Sequence, residues 1–215
     1  MKRWALGLCA CALLSACTTT TLRPHPDLAQ ELPPSRSIAI MPVESAAFDV
    51  GYLGAIDMVE PDAAAAAQTV AQALQRRLAA RGRPAAPVRV DEELFQREPE
   101  SRLRATELQL AADRAMGRVL HTKTPEKREE YFGVRSVLSD LVPFAADTHA
   151  DALLFTRSTL LTVRTEYGLL SYAGEVEVVL IDAWTGEVLY AGDASDRSHF
   201  HVDIDALAVA ALGSL

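Results

Sequence analysis

His199 and His201 flank Phe200 and form the closest histidine pair in this 215-residue chain. On an extended segment alternate side chains point the same way, so both imidazoles would face one side and could share a metal with Asp196 or Asp203. Two nitrogens without a defined third ligand make a weak centre, and a solvated stretch after a strand explains the same residues. Asp147, His149 and Asp151 place two carboxylates around an imidazole. The carboxylates share a face only if a helix persists through them, and a polar helix end leading into a strand is the simpler account. Glu126, Glu129 and Glu130, interleaved with Lys127 and Arg128, read as a solvated helix face. G-x-S-x-G, H-E-x-x-H, C-x-x-C, the P-loop and G-x-G-x-x-G are all absent from the sequence. The expectation is a protein without catalytic residues, metal or cofactor.

The residue with the most definite chemistry is Cys17. Lys2 and Arg3 give a short positive end, and residues 4–14 form an apolar run too short to span a bilayer comfortably. Leu14-Ser15-Ala16-Cys17 then resembles the lipobox of bacterial lipoprotein precursors. The resemblance implies a signal peptide over residues 1–16, cleavage between Ala16 and Cys17, and a diacylglycerol thioether on the cysteine. Each buried methylene contributes about 0.8 kcal/mol, so two or more acyl chains hold stably. Thr18 stands where an aspartate favours retention at the inner membrane, which points to the periplasmic face of the outer membrane.

Cys9 and Cys11 would leave with the leader, so the mature chain would hold no disulfide although exported compartments permit one. The 21 basic and 29 acidic residues give a net charge of −8. Losing Lys2 and Arg3 makes it −10, a poor balance for binding nucleic acid or an anionic lipid surface by charge. Residues 17–36, with four threonines and Pro24, Pro26, Pro33 and Pro34, read as a lipid-anchored flexible tether. The composition suits neither helix nor strand. As a coil it would span on the order of 25 Å.

The elements that must carry any site follow. Residues 37–43 (SIAIMPV) read as a strand buried on both faces, limited near its end by Pro42. Residues 62–81 are the clearest helix, with Asp62 as cap, Val70, Leu74 and Leu78 on one face, and Gly82 and Pro84 ending it. Val88-Arg89-Val90 reads as a small strand. Residues 91–150 read as a helical insertion: Pro99 opens a helix carrying Leu103, Leu110 and Val119. Thr124-Pro125-Glu126 starts another, whose apolar face holds Val134, Leu138, Leu141 and Val142. Residues 152–164, 172–182 and 187–194 read as a three-stranded meander. Val176, Val178 and Leu180 alternate with Glu175, Glu177 and Val179 as in a half-buried strand. Asp182 and Gly186 set a turn, and residues 203–212 form a terminal helix. The order predicts an α/β fold spanning residues 37–213 as one domain. It is a mixed β-sheet (β-α-β, helical insertion, meander, terminal helix) with helices packed against it.

The lipobox, the SIAIMPVES strand, the ADALLF strand and the VEVVLIDAWTGEVLYAG hairpin together resemble a group of envelope proteins. The group includes the curli secretion lipoprotein, the Pel polysaccharide lipoprotein, a penicillin-binding-protein activator lipoprotein and the N-terminal domain of the Tol translocation protein. The resemblance covers about residues 37–90 and 150–213. It implies a non-enzymatic periplasmic domain that binds proteins in a secretion, export or assembly complex, or one that regulates a peptidoglycan synthase as a monomer. Since catalytic groups can assemble in space without a sequence motif, a periplasmic enzyme is the third alternative. The expected partners are the bilayer through acylated Cys17, an envelope protein, and a second copy of the chain. Residues 46–60 and 160–173 are too short to supply the paired membrane strands of the curli channel. The connection after the first strand gathers Phe48, Val50, Tyr52, Leu53, Ile56, Met58 and Val59. It either folds back into the core or exposes a docking patch, for which Phe48, Tyr52, Leu53, Ile56 and Met58 are the candidates.

Overall fold

The computed structural model describes residues 18–88, 99–124, 126–127, 149–213 and 215. The leader with Ala16 and Cys17, the Arg89-Val90 pair, Glu129, Glu130, Asp147 and the apolar face of residues 134–142 lie outside them.

Strand β6 (Ala152–Arg164) and strand β7 (Leu170–Asp182) form a 13-pair antiparallel hairpin, and β8 (Val188–Ser198) continues the meander. Two strands line the other side of β6, both parallel to it. They are β2 (Ile38–Ile40), level with Ala152–Leu154, and β3 (Glu44–Val50), level with Arg157–Val163. The break between them falls at Met41-Pro42-Val43, since proline cannot donate to the ladder. β4 (Ile56–Met58) pairs antiparallel with β3, and β5 (Ala85–Pro87) pairs parallel with β2. The result is an eight-stranded mixed sheet that does not close into a barrel.

The first strand is a departure from the sequence reading. Residues expected to be tether form β1 (Thr19–Pro24), antiparallel to β8 from Thr19–Ser195 to Pro24–Tyr190. Threonine is a good strand residue, and the one proline closes the strand where a missing donor costs least. A single helical turn, α1 (Leu28–Glu31), follows, and its capping Leu32 is fully buried. Thr19–Pro24 are thus paired into the sheet, and Leu32 lies in its core.

Helices cover both sheet faces. The long helix α2 (Glu60–Ala80) and the terminal helix α4 (Ile204–Leu212) pack on one side, where Val70, Leu74, Leu78, Leu207 and Leu212 meet Ile38, Ile40, Leu154, Val178 and Leu180. Helix α3 (Pro99–His121) packs on the other, where Met116 and Val119 meet Leu153, Phe155, Val179 and Ile181. Central strands buried on both faces read as continuous apolar runs, as ADALLF does. α2 begins two residues earlier than expected, with Val59 at its N-cap and Asp62 inside the first turn. Asp203 caps α4 by accepting the Ala206 N–H at 3.1 Å. The small strand forms at Ala85–Pro87 rather than at Val88.

Candidate functional site

The sheet has two unequal ends. At one, the β7–β8 turn is held as expected: Asp182 Oδ1 accepts the Trp184 and Thr185 N–H groups, each at 2.8 Å, and Gly186 takes a positive φ of 73°. At the other end β3–β4 and β6–β7 run past the helices and finish in two tips of the same design.

The region expected as a connection is thus a hairpin. The Gly51 N–H donates to Ala55 O at 2.9 Å and the Gly54 N–H to Gly51 O at 2.9 Å, with Gly54 at φ 81°. The second tip repeats this. The Thr165 N–H donates to Leu169 O at 2.9 Å and the Gly168 N–H to Thr165 O at 3.0 Å, with Gly168 at φ 73°. A five-residue loop with a left-handed glycine in fourth place is a favoured hairpin closure. In each the third residue is large and apolar and stands in water: Leu53 is 81% exposed and Tyr167 82%. Tyr52, Leu169 and Phe200 are exposed at the same end.

The flank of this end is apolar as well. β4 pairs β3 and no other strand among the described residues, and it exposes Ile56 (66%) and Met58 (62%). Register places both on one face with Phe48, Val50, Leu161 and Val163. Of the candidate docking residues, Tyr52, Leu53, Ile56 and Met58 are exposed, while Phe48 is half-buried. Beneath the hairpins lies a cavity of about 390 Å³, lined by Phe48, Asp49, Leu160, Thr162, Tyr172 and His201 among others.

A charged row crosses the sheet beneath α3. Glu44, Arg157, Glu177 and Asp193 are consecutive cross-strand partners on β3, β6, β7 and β8. The sequence reading set Glu177 on a solvent face. The structure buries it to 3% exposure, because α3 lies over that face and His121 Nε2 sits 3.1 Å from its Oε1. Arg157 Nε donates to Glu177 Oε2 at 2.8 Å, and Nη2 meets the same oxygen. Burial works against the Arg157 charge, but its hydrogen bond and attraction to Glu177 prevail and raise its pKa. Burial, and then Glu177 and Asp193, push the Glu175 carboxyl above its ordinary range. Burial and Asp113 do the same to Glu44. Glu177, with partners on both oxygens, ties the end of α3 to β6 and β7.

The remaining candidates separate. The backbone N–H groups of Phe200 and His201 both donate to Ser198 Oγ, at 3.1 and 3.4 Å, so the stretch is a turn and not an extended segment. His201 lines the cavity while Asp203 caps α4, and no group of three or more metal-ligating side chains forms among the described residues. Asp151 accepts from the Ser37 N–H at 2.8 Å and the Ser37 hydroxyl at 2.9 Å, fastening the start of β2 beside that of β6. The twin tips were missed in the sequence, although G-Y-L-G-A and T-E-Y-G-L carry their glycines in the same place.

No protein-family model matches the sequence, and no curated protein matches it. Among solved structures the chain is similar to the PelC dodecamer from Paraburkholderia phytofirmans, with 10% identity and a TM-score of 0.44 over 91% of each chain. It is similar also to lipoprotein GNA1162 from Neisseria meningitidis, with 16% identity and a TM-score of 0.40 over 76% of this chain and 83% of that one. The Pel lipoprotein named from the sequence is thus among its structural neighbours. At these distances the likeness carries no functional conclusion.

Proposed function

We propose that this chain is a lipid-anchored protein of the periplasmic face of the outer membrane. In this reading it binds another envelope protein along β4, as a component of a secretion, export or assembly complex, and catalyses nothing. The observation that carries the binding role is the β4 edge, unpaired on its outer side among the described residues, where Ile56 and Met58 stand in solvent beside half-buried Phe48. An apolar sheet edge left open is an invitation to pair, which monomeric proteins ordinarily blunt. Asp57, between the two apolar residues, keeps the edge soluble until a partner covers it. The anchor rests on the lipobox at Cys17.

A photo-crosslinking amino acid at position 57, in intact cells, tests the binding. The expected result is a discrete adduct with one envelope protein, with no such adduct from position 184 at the far end. An adduct of twice the chain's mass would identify the partner as a second copy. Absence of any adduct from position 57 would defeat the binding reading. Cys17→Ser tests the anchor, because the released protein should then fractionate away from membranes.

A further inference from the structure

The register of β1 fixes which end of the sheet the anchor leaves from. Thr19 lies level with Ser195 on β8, Glu175 on β7, Thr159 on β6 and Ala46 on β3. β1 runs antiparallel to β8, so the chain preceding Thr19 leaves toward the end where β8 finishes and the two tips project. Cys17 is covalently one residue before Thr18. Because residues 19–24 are strand, almost no tether remains between a lipid on Cys17 and the sheet. The domain must therefore sit against the bilayer, with the tip end facing it.

That end is built for such a surface. Leu53 and Tyr167 occupy the same place in twin loops, and Tyr52, Leu169 and Phe200 join them, all exposed. Aromatic and aliphatic side chains of this kind are favoured at the boundary between headgroups and acyl chains. Arg164 and Glu166, just before Tyr167, carry opposite charges and can stay among the headgroups. Leu53 is seven residues beyond Ala46, whereas Cys17 is two beyond Thr19. At the rise of a strand the Leu53 tip therefore reaches roughly 16 Å and the Tyr167 tip roughly 20 Å farther than the anchor, and the spacing of strands sets them about 22 and about 12 Å to one side. A sheet leaning toward its β1 edge brings both to one plane.

We propose that the Tyr52-Leu53 and Tyr167-Leu169 tips rest in the interfacial layer of the bilayer that holds the lipidated Cys17, fixing the orientation of the domain. This rests on the anchor reading and is independent of what binds β4. The occupant is the lipid surface, because the covalent exit of the chain and the exposed apolar tips coincide at one end of the sheet.

The test uses the lipidated mature protein in vesicles of phosphatidylethanolamine and phosphatidylglycerol. With Trp4 gone with the leader, Trp184 is the one tryptophan of the chain and marks the opposite end. In a Trp184→Phe background, Leu53→Trp and Tyr167→Trp are made separately, so that failure of one to fold leaves the other. Lipids brominated on the acyl chains should quench each tip tryptophan several-fold more strongly than they quench Trp184 in the unaltered protein. Quenching at the tips no greater than at Trp184 overturns the proposal. A blue-shifted tip emission that brominated lipids leave untouched and dilution abolishes also overturns it, in favour of contact with a second copy. The mass of lipid on the mature chain, and its loss in Cys17→Ser, are read separately. An anchored protein with unquenched tips defeats the apposition alone; a chain without lipid defeats both.

Discussion

Replacing Ile56 and Met58 together by lysine should leave the fold standing and remove partner binding. About two-thirds of each side chain lies in solvent, Ile56 at 66% and Met58 at 62%. Only the remaining third is packed in the free protein, so the double change should cost about 1 kcal/mol of stability. For a domain of this size that is a fall in Tm of about 2–4 °C. Lysine is preferred to aspartate because Asp49 and Asp57 already face each other across β3 and β4, and a third carboxylate would add repulsion. In a complex the exposed two-thirds would be buried, contributing about 1–2 kcal/mol per side chain. Losing both should weaken binding about 30- to 700-fold, before the cost of desolvating two ammonium groups. Urea unfolding reads the first quantity, and the yield of crosslink from position 57 reads the second. If the variant unfolds or loses more than about 3 kcal/mol, these residues are core after all. If it folds and still crosslinks at the original yield, β4 is not the binding edge.

Three further outcomes follow from the packing. Gly192→Ala should destabilise by about 3 kcal/mol or more in urea unfolding, because a Cβ there would stand 2.1 Å from the Ala211 carbonyl oxygen and α4 would have to retreat. Glu175→Gln should raise stability at neutral pH. The carboxyl is held above its ordinary 4.5 in the folded protein, so its contribution is full below that value and is lost as pH rises through the folded-state value; the gain from Gln should vanish near pH 4 in Tm measurements across pH. A soluble chain beginning at Ser35 should be less stable than one beginning at Thr18 by at least about 3 kcal/mol, since it lacks the six β1–β8 pairs and buried Leu32; equal urea midpoints would show β1 to be dispensable.

Much of the framework is legible because local preference and burial agree. SIAI and ADALLF are apolar on both faces, and the sheet buries both faces of β2 and the first half of β6. The turn at Asp182-Gly186 carries its own chemistry, which no distant contact has to supply. The failures occur where a distant element decides. Alternation along β7 marks two faces but does not say which one a helix covers, so Glu175 and Glu177 looked equally wet; α3 buries the second. The prolines of residues 18–36 argue against regular structure, and only the open edge of β8 makes a strand of the threonines before them.

The functional residues divide along the same line. Exposure of Ile56 and Met58 could not be read from composition, because seven apolar residues in one connection normally mean a buried loop. What exposes them is geometry: β3 follows β6 beyond the reach of α3, and β4 is then the last strand, with nothing outside it among the described residues. The same extension carries Leu53 and Tyr167 past the helices. Had residues 19–24 been a free tether, those tips could face any direction, and their exposure would say nothing about the membrane. With β1 locked to β8, the chain before Thr19 and the tips share one end of the sheet, so a lipid at Cys17, as proposed, would set the direction of the domain as well as its compartment. In that arrangement the lean toward β1 would turn the β4 edge obliquely away from the membrane, with Trp184 at the end farthest from it.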